Sequence, residues 1–155
     1  MFSQLARKIR SFRRRPYFEK AWFLPTWMLL GICRLGILAI PFRHLAPSLG
    51  RHAGTAPWTP LIDPEMEARA SSIARVVKLA GRYTPWVSNC FNQAMTARIL
   101  LGLSGIPYCF LFGVRREGAN SPLEAHAWVI AGKVRVTGGV SFNRYQVVGC
   151  FVSSH

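Results

Sequence analysis

The hydrophobic period of the chain switches once, between Leu101 and Tyr108, and that switch limits the folds open to it. Upstream, Met66, Ala70, Ile73, Val77 and Ala80 recur at helical spacing and make one buried face. Asp63-Pro64-Glu65 reads as its start, with Asp63 as N-cap and Pro64 at the first helical position; Gly81 and Pro85 end it. A second helix runs from Cys90 to Leu101, capped by Ser88 or Asn89, with Ala94, Ala97 and Leu101 inward. Gly102, Gly105 and Pro107 stop it. From there the pattern is extended: a strand over Tyr108–Val114, another from His126, a turn at Gly132-Lys133, a return over Val134–Thr137, and a last strand over Arg144–Val152. Helices followed by strands predict an α+β domain, a cysteine-bearing helix packed on a small antiparallel sheet.

At 155 residues the chain holds one modest domain with an appendage. We divide it into an N-terminal basic and apolar helical extension (residues 1–60) and a catalytic domain (residues 61–155). Twenty Lys and Arg against six Asp and Glu give a formal charge of +14, a field that favours acidic peptides, anionic lipid or nucleic acid without choosing among them. The carboxylates are Glu19, Asp63, Glu65, Glu67, Glu117 and Glu124, and none follows His126. Cys33, Cys90, Cys109 and Cys150 are widely spaced, with no C-x-x-C, so neither a zinc site nor a disulfide framework is expected. The expectation is reduced cytoplasmic thiols, three of them structural, and no cofactor or metal.

Residues 1–20 interleave Arg7, Lys8, Arg10, Arg13, Arg14, Arg15 and Lys20 with Phe12, Tyr17 and Phe18. Ala21 to Phe42 is apolar, interrupted by Pro25 and Arg34. The reading is two short helices, broken near Pro25 and ending by Pro41, packed on the catalytic domain or lying along a membrane surface. Basic flanks beside an apolar stretch are also the pattern of a cytoplasmic membrane anchor. No helix-turn-helix, zinc-finger or RNA-binding signature accompanies the arginines, so nucleic acid is not an expected partner. His44 and His52, in a connector rich in Pro and Gly, read as ordinary surface residues.

Cys90 at the head of its helix and His126 in Ala125-His126-Ala127-Trp128-Val129-Ile130 carry the chemistry. Unpaired N–H groups and the positive end of the macrodipole at a helix start favour a thiolate. A histidine on a neighbouring strand can take a proton and return it to a leaving amine. A helix-borne Cys followed by a strand-borne His is the layout of papain-like and transglutaminase-like enzymes. A two-residue turn at Gly132-Lys133 would pair Ala131 with Val134 and set His126 opposite Gly139; a three-residue turn would set it opposite Gly138. Either way, the residues that can steady the imidazole lie near 137–139.

Trp86-Val87-Ser88-Asn89-Cys90, Leu101-Gly102-Leu103-Ser104-Gly105-Ile106-Pro107, Phe112-Gly113-Val114-Arg115-Arg116 and Glu124-Ala125-His126-Ala127-Trp128-Val129 together resemble the transglutaminase-like leader peptidases of lasso-peptide biosynthesis. Arg34-Leu35 through Ile40-Pro41-Phe42, and Leu45-Ala46 to Gly50, are similar to the N-terminal region of that family. The resemblance implies a transglutaminase-like (papain-like) fold, Cys90 as nucleophile and His126 as general base. It also implies a precursor peptide as substrate, a separate small winged-helix leader-recognition protein and an asparagine-synthetase-like ATP-dependent cyclase. An anionic inner-membrane surface near an exporter is a further expected contact. The family has an aspartate shortly after the histidine, where this chain has Gly138. Thr137, Asn143, a backbone carbonyl or a water are then the groups left to orient the imidazole. The alternatives are a thiol acyltransferase or transglutaminase on the same fold, a catalytically impaired scaffold of the maturation complex, and a basic membrane- or nucleic-acid-binding protein.

Overall fold

The computed structural model describes residues 16–118, 121–139 and 141–153. The arginine-rich start up to Arg15, and Asn120 in the polar loop, lie outside the described residues. Four helices precede most of the sheet: α1 (Tyr17–Ala39), α2 (Phe42–Leu45), α3 (Pro64–Gly81) and α4 (Cys90–Leu103). The strands are β1 (Arg51–His52), β2 (Cys109–Arg115), β3 (Glu124–Ala131), β4 (Val134–Arg135) and β5 (Gln146–Val152). They form one antiparallel sheet in the order β1-β5-β2-β3-β4. The α+β architecture expected from the switch in period is the one observed.

Local chemistry sets the helix starts. The Asp63 carboxylate accepts the Met66 N–H at 2.7 Å, and Pro64 needs no donor at the first position. The inward stripe of α3 is Ala70, Ile73, Val77 and Ala80, joined by Val76 and Leu79. Gly105, at φ +64°, turns the chain out of α4 toward β2.

Alternation along the strands gives the sheet two different faces. Phe110, Ala127, Val129 and Ala131 meet the helices, where Phe42, Phe91, Phe110 and Phe112 make a chain of ring contacts 5.1–6.1 Å apart. Cys109, Leu111, Trp128, Cys150 and Val152 form a smaller cluster on the opposite face.

The N-terminal region differs from the expected pair of short helices. It is one helix of 23 residues that runs through Pro25. Proline removes a single helical hydrogen bond, and packing elsewhere along the helix outweighs that loss. Leu30 and Cys33 are buried in the contact of α1 with α3 and α4. Trp27 meets Trp86 at 4.8 Å between ring centres, tilted by 51°, and donates to the Tyr83 carbonyl at 3.1 Å. Gly31 lets the Trp86 ring lie flat on α1, since a Cβ there would come within 3.1 Å of it. The loop leading into Cys90 is thus held by α1. By length and composition α1 could cross a membrane, with a mean hydropathy of 1.5 in its most apolar window.

Glu19 of α1 is almost wholly buried and accepts from Arg75 Nε at 2.7 Å, while the Arg75 side chain is half exposed. Water compensates part of the arginine's charge, so the pair is worth less than a fully buried one. Arg75→Ala is expected to destabilise the fold by about 2 kcal/mol, and Arg75→Lys by less. Urea unfolding measures both, and an unchanged midpoint for Arg75→Ala would show that α1 is not held by this pair.

Candidate active site

Asn89 caps α4: its side-chain oxygen accepts the Asn92 N–H at 2.9 Å, and its carbonyl takes the Gln93 N–H at 3.1 Å. Cys90 is therefore the first residue of the helix, half-buried, in the turn whose N–H groups have no helical partner. Gln93 lines the same cleft, but its side-chain amide donates to the Ser88 carbonyl at 2.9 Å and braces the loop.

On β3, His126 lies opposite Gly113 of β2. Its parity is that of Trp128 and Ile130, the face away from the helices. The imidazole is stacked between Trp128 (5.8 Å, 26°) and Tyr145 (4.9 Å, 28°). Gly113 makes room for this stack, because a Cβ there would come within 2.8 Å of both flanking side chains. Tyr145 is held in turn: its hydroxyl is 3.4 Å from Glu124, and Arg115 lies over its ring at 5.3 Å. Arg115 and Glu124 are direct cross-strand partners joined at 2.6 Å. The guanidinium holds the Glu124 carboxyl below its ordinary range, so the clasp is kept above the usual carboxylate range and is lost only as the pH falls below it.

The hairpin closes as the two-residue reading predicts, with Ala131 opposite Val134 and Gly132 at φ +57°. The register then slips. The Val129 carbonyl accepts from both Val136 N (2.9 Å) and Thr137 N (3.3 Å), and the extra residue brings Gly138 to the imidazole. His126 Nε2 is 3.1 Å from the Gly138 carbonyl oxygen. A carbonyl only accepts, so Nε2 carries the proton in this bond and the neutral ring keeps its lone pair on Nδ1. Gly138 sits at φ +94°, and a Cβ on it would fall 2.3 Å from the Trp128 Cβ. No side chain fits there.

Cys90, His126, Thr137 and Gly138 line one cleft of about 500 Å³ between α3, α4 and the turn after β4. Among the described residues no hydrogen bond joins the Cys90 sulfur to the imidazole; catalytic contacts of this kind commonly tighten only with substrate bound. Arg75, Lys78 and Arg135 share the cleft wall, and among the described residues no carboxylate does. The four sequence-derived residues separate here. Thr137 is in the cleft, but its hydroxyl accepts the Val129 N–H at 3.1 Å rather than serving the histidine. Asn143 is exposed and lines a different hollow of about 350 Å³ with Trp128, Lys133 and Tyr145. Trp128, Tyr145 and Gly113 are neighbours of His126 to which the sequence assigns no role. A backbone carbonyl near 137–139, here that of Gly138, is among the orienting groups the sequence leaves open.

The cleft is thus lined by a thiol at a helix start and by a strand-borne histidine whose Nε2 meets a backbone carbonyl. Residues 36–149, well over half of the chain, match the family described as the transglutaminase-like superfamily. The chain belongs to that superfamily. Its fold is one on which cysteine peptidases and acyltransferases are built. No curated protein and no solved structure matches the chain.

An aspartate does not fit at residue 138 on this backbone. Gly138→Asp is expected to cost at least about 2 kcal/mol through left-handed strain and the clash with Trp128, and to raise no activity. Thermal unfolding checks this, and a variant as stable as the parent would contradict the geometry described for this turn.

Proposed function

We propose that the protein is a cysteine peptidase that removes the leader from a ribosomally synthesised lasso-peptide precursor. It would act in the cytoplasm with a separate winged-helix leader-binding protein and an asparagine-synthetase-like, ATP-dependent cyclase. The observation that carries the chemistry is the shared cleft of Cys90 and His126, with Nε2 engaged by Gly138. The resemblance of the segments around both residues carries the choice of substrate. A wall bearing Arg75, Lys78 and Arg135 suits a peptide with carboxylates near its scissile bond.

In this reading the Nδ1 lone pair of His126 takes the Cys90 proton, and the sulfur attacks the carbonyl of the last leader residue. The oxyanion is held by N–H groups at the start of α4, that of Cys90 first among them. The carbon–nitrogen bond breaks as the imidazolium gives its proton to the departing amine, leaving a thioester. Water, deprotonated by the same nitrogen, attacks the thioester; the leader leaves as a carboxylate and the thiol is regenerated. Gly138 is a positioning group. Its carbonyl orients the ring without adding a full negative charge beside it.

Incubating the chain with precursor and leader-binding protein and weighing the products tests the proposal. Two peptide fragments are expected, with Cys90→Ala and His126→Ala each slowing their formation by at least 10³-fold. Asn143→Ala is expected to stay near the parent. An isopeptide or acylated amine as product would make the chain an acyltransferase, and maturation undisturbed by Cys90→Ala would make it a scaffold.

A further inference from the structure

Helix α1 is polarised the wrong way for a helix on a water-exposed surface. Surface helices face water with charged and polar side chains and turn an apolar stripe inward. Here Glu19 and Thr26 point into the protein together with Leu30 and Cys33. The outward arc carries Leu24, Met28, Ile32, Leu35 and Leu38, each between 55 and 69% exposed, with Trp22 beside them. No exposed position of α1 bears a charge. Leu24, Met28, Ile32 and Leu35 stand one above another at helical spacing, so the stripe is continuous. Ile40 and Phe42 extend it past the end of the helix. A patch of this length marks a surface that something covers.

The charge around the patch identifies the cover. The two basic residues of α1, Lys20 and Arg34, are half-buried and flank the stripe on one side, where long side chains reach outward past apolar surface. In sequence, Arg7, Lys8, Arg10, Arg13, Arg14 and Arg15 precede the helix, and no acid occurs before Glu19. A polybasic run adjoining an apolar helix face is complementary to anionic lipid head groups over hydrocarbon. The helix does not stand free to cross a bilayer, because its other side packs on α3 and α4 through Leu30, Cys33 and the Glu19–Arg75 pair.

We propose that α1 docks the protein on an anionic membrane, half-immersed along its length, while its inner face holds the catalytic domain. The two uses of this region, packing on the domain and lying on a membrane, are met at once by opposite faces of one helix. Arg75 joins Glu19 and also lines the Cys90 cleft, so one ion pair separates the docking helix from that cleft. None of this depends on Cys90 or on the reaction it performs.

Flotation of the purified full chain with vesicles tests the proposal, comparing phosphatidylcholine alone with phosphatidylcholine containing phosphatidylglycerol. Binding to the anionic vesicles is expected at least tenfold above the neutral ones, falling with added salt and unaltered by Cys90→Ala. The variant Leu24→Gln/Met28→Gln/Ile32→Gln/Leu35→Gln leaves every charge in place and is expected to lose at least tenfold of the binding. Ile32→Gln and Leu35→Gln taken singly give the same comparison, with severalfold losses, should the fourfold variant not fold. A parent chain that stays in solution would overturn the proposal, as would equal binding by parent and variants, which would leave the arginines alone responsible. A parent dimer dispersed by these substitutions, with no vesicle binding, would assign the face to a second copy instead. Resistance to extraction at high salt and at alkaline pH would show a spanning helix and also overturn it.

Discussion

Where the backbone passes over Trp128 it turns through the left-handed conformation of Gly138, and the carbonyl that emerges meets His126 Nε2. Most of the site follows from that contact. The proton on Nε2 leaves Nδ1 as the basic nitrogen, and the flanking rings of Trp128 and Tyr145 keep the imidazole from swinging. Gly113 on β2 supplies the space the stack needs, and the Arg115–Glu124 pair closes its outer end. Four strand positions and one turn are thereby committed to a single side chain.

A carbonyl in the third position has a chemical consequence. A carboxylate orients a histidine and also stabilises the imidazolium that forms when the thiol is deprotonated. A neutral oxygen does the first fully and the second only in part. The cleft wall carries three cations, Arg75, Lys78 and Arg135, in a chain of net charge +14.

The sequence made the local signals legible and hid those that depend on tertiary packing. Asp63 and Asn89 cap their helices through bonds any reader of side-chain types can anticipate, and Gly132-Lys133 makes the turn its composition announces. Cys90 and His126 stood out for the same reason: each sits in a short segment with its own signature. The slip at Val136 and Thr137 has no such signature, since two N–H groups share the Val129 carbonyl only once β4 is in place. That slip spends the Thr137 hydroxyl on the backbone and hands the orienting role to Gly138, a residue with no side chain to notice. Pro25 read locally as a break, whereas burial further along α1 carries the helix through it.

The account rests on the reach between one sulfur and one imidazole, and a short bifunctional reagent measures that reach. Treatment of the folded chain with 1,3-dibromoacetone, followed by digestion and mass spectrometry, reports which thiol is attacked and what it is bridged to. Cys33, Cys109 and Cys150 are buried, and burial pushes the Cys33 and Cys109 thiols up, so Cys90 is the sulfur expected to react. The predicted product is a three-carbon bridge from Cys90 to His126. Alkylation of Cys90 with His126 left unmodified in every digest would contradict it.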